Sequence, residues 1–555
     1  MSNDNGNDTR ILYGAMQADG AMEYRTNLTH KSRTGPVVLL HDLRPVIPIV
    51  FMPGIMATRL RLKDSGDPVW NPPNTLGDII KAFFNYAFKT SAARIKELKP
   101  ENVEVATELP ANVELRKQYP ESALRREEKG WGAVYASSYH GFMGYIEQTL
   151  NQALYAREEL PDENIKETLR VPQLPEEFKA DPQEYGALDW AAEPLTQEEF
   201  GKAIGKYRYD VWGCGYNWLQ SNRQSAADVW KRIGEILKTY PEGTINKQKR
   251  VILITHSMGG VVARSLYAEY EAKCGEQDKR IWGVIHIAQP AAGAPTVYRR
   301  MRAGDTGAVK ILTGRNAADV TGILAQAHGG LELLPFPHYD QRHPWLTCTK
   351  EANHPGNALE LPPKGGDPYN SIYKNPAWYG LLPDQNLKLV LGDMEATADN
   401  LKKVRSDFED TIDDVQTFHK SITGTYHPVT YAIWGESLDQ PAWRRLSWEQ
   451  SKKRYMTDEE RMFDSPDLRD SGKGSVDEGD YHNQLYEFEV PGDSTVPGSA
   501  ARDQQFNAKV CFIQGDGSGK HNDKHGWSHQ DACNDRRTQW AAIYSIVKLV
   551  SKSCP

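Results

Sequence analysis

The chain has 555 residues, 39% hydrophobic and 25% charged, and its 66 Lys+Arg against 74 Asp+Glu leave a net charge of −8. That length holds two or three domains, or one large core with long insertions, and the composition excludes global disorder. Such mild acidity gives no electrostatic footprint for nucleic acid and no polybasic route to anionic lipid.

The opening, MSNDNGNDTRILYG, lacks a basic stretch followed by an apolar one, so no signal peptide of the general secretory type is expected. Residues 1–36 are polar and Gly/Asn-rich and read as a loose tail. No apolar run reaches the ~18–20 residues of a membrane span. Cys214, Cys274, Cys348, Cys511, Cys533 and Cys554 are scattered without a CxxC pair, which suits unpaired thiols in a reducing cytosol.

Val46–Met52 is a continuous apolar run stopped by Pro53 and Gly54. A parallel strand covered on both faces shows no alternation, so this run predicts a buried strand. Tyr207–Trp212, Arg250–Thr255, Ile281–Ala288, Tyr431–Trp434 and Lys509–Ile513 have the same character. Helical patterns at Ser225–Thr239, Gly259–Ala272 and Arg536–Leu549 alternate with several of them. The expected class is therefore α/β, a mostly parallel central sheet flanked by helices.

The strands are unevenly spaced, and structureless loops of such length are uncommon. We divide the chain into the tail (1–36), a first core part (37–59), a first insertion (60–205) and core with the motif at Ser257 (206–295). A second insertion (296–425) and a last core part (426–555) follow, the latter with a charged excursion at 436–485. The two insertions are expected to form a large cap, or lid, over the sheet. Asp78–Phe88 would place Phe83, Phe84 and Phe88 on one apolar helix face. Ile323, Leu324 and Leu331–Phe336, with Leu333 and Leu334, form a second apolar cluster. Both clusters are candidate lid or membrane-facing elements, and packing inside the cap's own core is the alternative. The acidic excursion lacks a regular calcium-loop ladder and reads as solvated surface.

The most informative stretch is Arg250–Arg264, where an apolar strand runs into Thr-His-Ser257-Met-Gly-Gly and then a helix. A sharp strand-to-helix turn of this kind holds a serine hydroxyl at the carboxyl end of a sheet. Thr255 stands where the motif usually has its first glycine, which crowds the turn without abolishing it. Serine needs a base, and in this arrangement the acid leaves a late strand and the histidine follows the last one. Asp493, in a tight turn after Tyr486–Val490, is the first candidate acid, and Glu436, after Tyr431–Trp434, is the runner-up. His529 is the first candidate base and His525 the runner-up. His521, His525 and His529 also recur every four residues, but Gly526 argues against a helical metal site, so no metal and no cofactor are expected. The oxyanion donors would be the backbone N–H groups of Met258 and of Ile55, in the turn after the first strand.

Five blocks occur in order: Val50-Phe-Met-Pro-Gly-Ile-Met56, Tyr216-Asn-Trp218, Thr-His-Ser257-Met-Gly-Gly, Gln289-Pro-Ala-Ala-Gly-Ala-Pro295 and Gly492-Asp-Ser-Thr-Val-Pro497. Together they resemble the lecithin:cholesterol acyltransferase-like and GPI inositol-deacylase-like lipases, which are α/β-hydrolases. Gly215, Asn217 and Ser494 depart from that pattern, which has Pro, Asp and Gly there. More narrowly, the chain resembles the cap-bearing phospholipase effectors of bacterial type VI secretion, their fourth lipase family. The resemblance implies a serine lipase that hydrolyses glycerophospholipid acyl esters, with membrane phospholipid as substrate; the charge balance already argues for no nucleic-acid partner. It also implies an antibacterial toxin made in the cytoplasm, carried by the secretion spike and tube, and acting in a rival's periplasm. A cognate immunity protein would protect the producer. An acyltransferase of the same fold, or an inactive hydrolase fold used for binding, are the alternatives.

Overall fold

The computed structural model describes residues 44–71, 91–109, 126–151, 173–188, 192–304, 317–349, 358–452, 475–478 and 481–553, with short strands at 10–13, 15–16, 22–23 and 37–40. Six strands form the central sheet: β1 (Val46–Met52), β2 (Arg208–Gly213), β3 (Val251–His256), β4 (Ile281–Ile287), β5 (Thr430–Gly435) and β6 (Val510–Gln514). Their order is β6-β5-β4-β3-β1-β2 and every pairing is parallel. Each coincides with one of the expected apolar runs. The chain passes outward from β1 to β2 and then returns to the other side of β1 with β3. The carboxyl ends of β1 and β3 therefore flank a topological switch point, where open α/β sheets form their sites.

Burial on both faces explains the missing alternation. Ile47, Ile49 and Phe51 of β1 join one cluster, with helices α1 (Ala136–Leu150) and, at the C-terminus, Arg536–Ser553. Val50 and Met52 face the other, beneath α2 (Asn222–Lys238) and α3 (Met258–Glu269). At about 1.5–3 kcal/mol for each large apolar side chain removed from water, this double burial dominates the sheet's stability.

Three features differ from the sequence reading. First, α1 falls inside the segment assigned to the cap, yet Tyr139, Phe142, Met143, Ile146 and Leu150 lie in the core on the sheet. Its apolar positions are spaced for one buried stripe, but Ser, His and Gly between them dilute the pattern. Second, both ends of the 436–485 excursion are long strands. Ser437–Lys452 and Tyr481–Gly492 pair antiparallel in a second, five-stranded sheet that also holds Leu346–Thr349 and Ala358–Leu361 of the second insertion. Leu446 and Trp448 are buried there, an apolar signal hidden by the surrounding charge. Third, Arg10–Tyr13 pairs in parallel with Val37–Leu40, so part of the N-terminal stretch is strand. Cys214, Cys348, Cys511 and Cys533 are buried, and Cys214, Cys274, Cys348 and Cys533 form no disulfide among the described residues.

A charge cluster fastens α1 to the sheet. Lys129 Nζ lies 3.0 Å from Glu147 Oε1 on α1 and 3.3 Å from Asp210 Oδ1 on β2. Burial opposes the charge of Asp210, but Lys129 and Arg208 beside it hold its pKa down at about 2. Replacing Lys129 by Met leaves two carboxylates facing each other with little solvent. We expect a loss of about 3 kcal/mol, the lower end for a broken buried pair because these side chains keep some solvent contact. Denaturant unfolding measures it, with Lys403→Met, from the exposed pair with Asp407, as the unaffected control.

Candidate active site

Ser257 closes β3 and caps α3 with φ 53° and ψ −125°. A positive φ is strained for a residue with a Cβ, and such strain persists only where the surroundings enforce it. Here the enforcement is packing. A Cβ on Gly259 would stand 2.5 Å from the Met52 carbonyl oxygen and 2.7 Å from that of Pro53, so only glycine lets α3 begin so close to the end of β1. Thr255 is tolerated because its side chain turns away, with Oγ1 2.8 Å from His286 Nδ1 on β4. The first position of the motif therefore needs no glycine in this chain.

The structure brings Ser257, His529 and Asp493 together. Ser257 Oγ is 2.8 Å from His529 Nε2, and His529 Nδ1 is 2.8 Å from Asp493 Oδ2. The carboxylate accepts from Nδ1–H, which leaves Nε2 to accept from the serine O–H. Asp493 Oδ1 accepts from the N–H groups of Thr495 (3.1 Å) and Val496 (2.7 Å), and its carbonyl accepts from the His529 N–H at 2.7 Å. Asp493 directly follows the long strand Tyr481–Gly492 of the second sheet. It reaches the site because Gly435, at the end of β5, has no side chain; a Cβ there would lie 3.1 Å from that of Asp493. Ser257, Asp493 and His529 are 4%, 1% and 9% exposed.

The turn after β1 lies against the serine. A Cβ on Gly54 would come within 3.0 Å of the Ser257 Cβ and 3.1 Å of His256 Nδ1. The Gly54 N–H donates to the Tyr139 hydroxyl at 3.3 Å, while the N–H of Ile55 has no acceptor among the described residues. Met258 opens α3, so its N–H points from a helix N-terminus, which favours developing negative charge.

Sequence reasoning missed His256 and Tyr139. The Tyr139 hydroxyl is 2.9 Å from His256 Nδ1, and His256 Nε2 is 2.8 Å from the His529 carbonyl oxygen. Burial, with His529 nearby, pushes the His256 pKa down to about 3, so this imidazole is neutral at ordinary pH. His256 stood in the serine motif itself, whereas nothing in the sequence tied Tyr139 to a position 117 residues away.

The other candidates lie elsewhere. Glu436 pairs with Arg502 through two contacts of 2.6 Å and accepts from the Trp434 indole at 2.8 Å. The His525 side chain is 83% exposed and sits 2.7 Å from Asp439. Leu333 and Leu334 are buried, and the Leu333 carbonyl accepts from the Ala294 N–H, so in this conformation they offer no surface to lipid. Their neighbour Glu332 accepts from the Asn222 N–H (2.7 Å) and the Ser221 hydroxyl (2.8 Å) at the start of α2. Phe83, Phe84 and Phe88 lie outside the described residues. Among the described residues, no three His, Cys, Asp or Glu side chains gather as metal ligands, and no helix is long and apolar enough to cross a membrane.

Residues 200–455 match the family described as lecithin:cholesterol acyltransferase. The crystal structure of the Tle4-Tli4 complex contains a chain 32% identical to this one, with a TM-score of 0.76, over 92% of this chain and 99% of that one. Phospholipase PlaB from Legionella pneumophila aligns over 53% of this chain and 74% of its own at 11% identity, and its TM-score of 0.14 bears on nothing further. No curated protein sequence matches significantly.

Two outcomes are expected. Gly54→Ala forces the turn after β1 off the serine, and since sub-ångström misplacement is amplified in rate, ester turnover should fall at least ~10-fold with a near-normal melting temperature. Kinetics on a short-chain nitrophenyl ester alongside thermal melting checks this. Burial raises the Glu332 pKa from 4.5 to about 8. The folded protein then binds more protons than the unfolded chain across that window, so this group's contribution is intact below 4.5 and is lost as pH rises through 8. In melting curves over that range, Glu332→Gln should remove this alkaline decline.

Proposed function

We propose that this chain, which belongs to the Tle4 family, uses Ser257, His529 and Asp493 as a catalytic triad against acyl esters of membrane glycerophospholipids. It is a carboxylic ester hydrolase of the α/β-hydrolase fold, in the phospholipase effector class of type VI secretion. The observation that carries the triad is the line of 2.8 Å contacts from the Ser257 hydroxyl through His529 to Asp493, at a strained turn beside a helix N-terminus.

Ser257 Oγ attacks the ester carbonyl as His529 Nε2 takes its proton. Asp493 holds the imidazole in the required tautomer and stabilises the imidazolium. The N–H groups of Ile55 and Met258 receive the negative charge on the tetrahedral oxygen. Collapse passes the proton from His529 to the leaving alcohol, here a lysophospholipid. Water, activated by the same histidine, then releases the fatty acid and regenerates Ser257. With Ser257 only 4% exposed, the reading requires covering segments of 60–205 and 296–425 to move before a lipid chain enters, and a bilayer would offset the apolar area thus exposed.

Membership of the family also supports a protein partner, since Tle4 was crystallised with Tli4. We read that partner as a cognate immunity protein, and delivery by the secretion spike and tube into a rival's periplasm as the setting in which it is needed. A second reading, acyl transfer to an alcohol, is favoured by the match of 200–455 to lecithin:cholesterol acyltransferase.

Fatty-acid release from mixed phospholipid vesicles should be robust for the native chain. Ser257→Ala should lower kcat by ~10³-fold or more, and Asp493→Asn by a comparable factor through the wrong histidine tautomer. A Ser257→Ala variant with native activity would sink the triad. Acyl ester formed on an added sterol or glycerol, in place of free fatty acid, would establish transfer over hydrolysis.

A further inference from the structure

We infer that Tyr139 and His256 are positioning residues that lock the oxyanion turn to the loop carrying His529. The inference rests on the triad reading above and adds to it a part of the first insertion. Tyr139 lies on α1, buried, with its ring centroid 4.9 Å from that of Phe51 on β1 and 5.4 Å from that of His256.

The direction of each hydrogen bond follows from chemistry. The His529 carbonyl can only accept, so His256 Nε2, at 2.8 Å, carries the proton and donates. Neutral imidazole then leaves Nδ1 as an acceptor, and the Tyr139 hydroxyl at 2.9 Å donates to it. The same oxygen accepts the Gly54 N–H at 3.3 Å. One directed path thus runs from the Gly54 amide through Tyr139 and His256 to the backbone of His529, whose own N–H donates to the Asp493 carbonyl at 2.7 Å.

Every link is buried, where an unpaired polar group is costly and a satisfied network is stiff. The Gly54 amide is held toward Tyr139, which keeps the turn oriented with the next amide, that of Ile55, unclaimed. At the other end, His256 fixes the His529 backbone, and with it the distance from the imidazole to Ser257. None of these groups hydrogen-bonds the reacting atoms, although the His256 ring packs against that of His529 with centroids 5.0 Å apart; they act through the turn and the loop.

The test uses the full chain in vesicle assays with kcat and KM resolved, and thermal melting in parallel. Tyr139→Phe, which removes only the hydroxyl, should lower kcat by roughly tenfold to a hundredfold with KM nearly unchanged, the range expected when reacting groups are slightly misplaced. His256→Gln keeps a donor toward the His529 carbonyl and should lose less than His256→Leu. The double variant Tyr139→Phe/His256→Leu should lose about as much as His256→Leu alone, because both interrupt one path. Native kcat in a folded Tyr139→Phe variant, a loss confined to melting temperature, or multiplying losses in the double variant would each overturn the inference. If Tyr139→Phe does not fold, the Gln and Leu variants of His256 decide, and equal losses would overturn it. Ser257→Ala in the same series separates the two levels: an inactive Ser257→Ala beside a fully active Tyr139→Phe rejects the inference alone, whereas an active Ser257→Ala rejects the triad and the inference with it.

Discussion

The contact between the ends of β1 and β3 is the constraint on which the site depends. Gly259 sits over the Met52 and Pro53 carbonyls, and Gly54 over Ser257, with no space for a Cβ at the first and little at the second. That approach holds Ser257 at positive φ and places the turn after β1 beside it. A backbone held this way is strained by about 1–3 kcal/mol. The parallel pairing of β1 with β3 and their burial on both faces supply the stability that offsets it. Two strands adjacent in the sheet but about 200 residues apart in the chain (β1 ends at Met52, β3 begins at Val251) thus define where the chemistry is proposed to occur.

Both insertions contribute to the geometry of this site. The first contributes α1, which is core on one face and carries Tyr139 to the oxyanion turn. The second sheet, shared between the second insertion and the end of the chain, aims the strand Tyr481–Gly492 so that Asp493 emerges beside Gly435. The likeness to Tle4 extends over 92% of this chain, insertions included, and is not confined to the sheet.

Much was legible because local chemistry left a local mark. Continuous apolar runs announced the six parallel strands, since double burial removes the polar positions that would otherwise alternate. Ser257 was visible because a strand, a small-residue turn and a helix adjoin in sequence. Asp493 and His529 followed from the chain order that such a turn imposes. The choice between them and Glu436 or His525 was not settled locally: Asp493 and Glu436 each directly follow a strand, and His525 and His529 share the loop after β6. The contacts of His529 with Ser257 and Asp493, the pairing of Glu436 with Arg502 and the exposure of His525 separate them in space.

What the sequence by itself determined was the α/β class, the position of the serine turn and the order of the groups that follow it, because each depends on residues within a few positions of one another. The tertiary structure decided which insertion residues became core, how the charged 436–485 stretch became strands at its ends, and how Tyr139 and His256 came to bridge Gly54 and His529. Those outcomes are contacts between residues as much as 273 positions apart. Such contacts form because close-packing at one switch point leaves each buried polar atom few partners within reach, and no local pattern encodes which they will be.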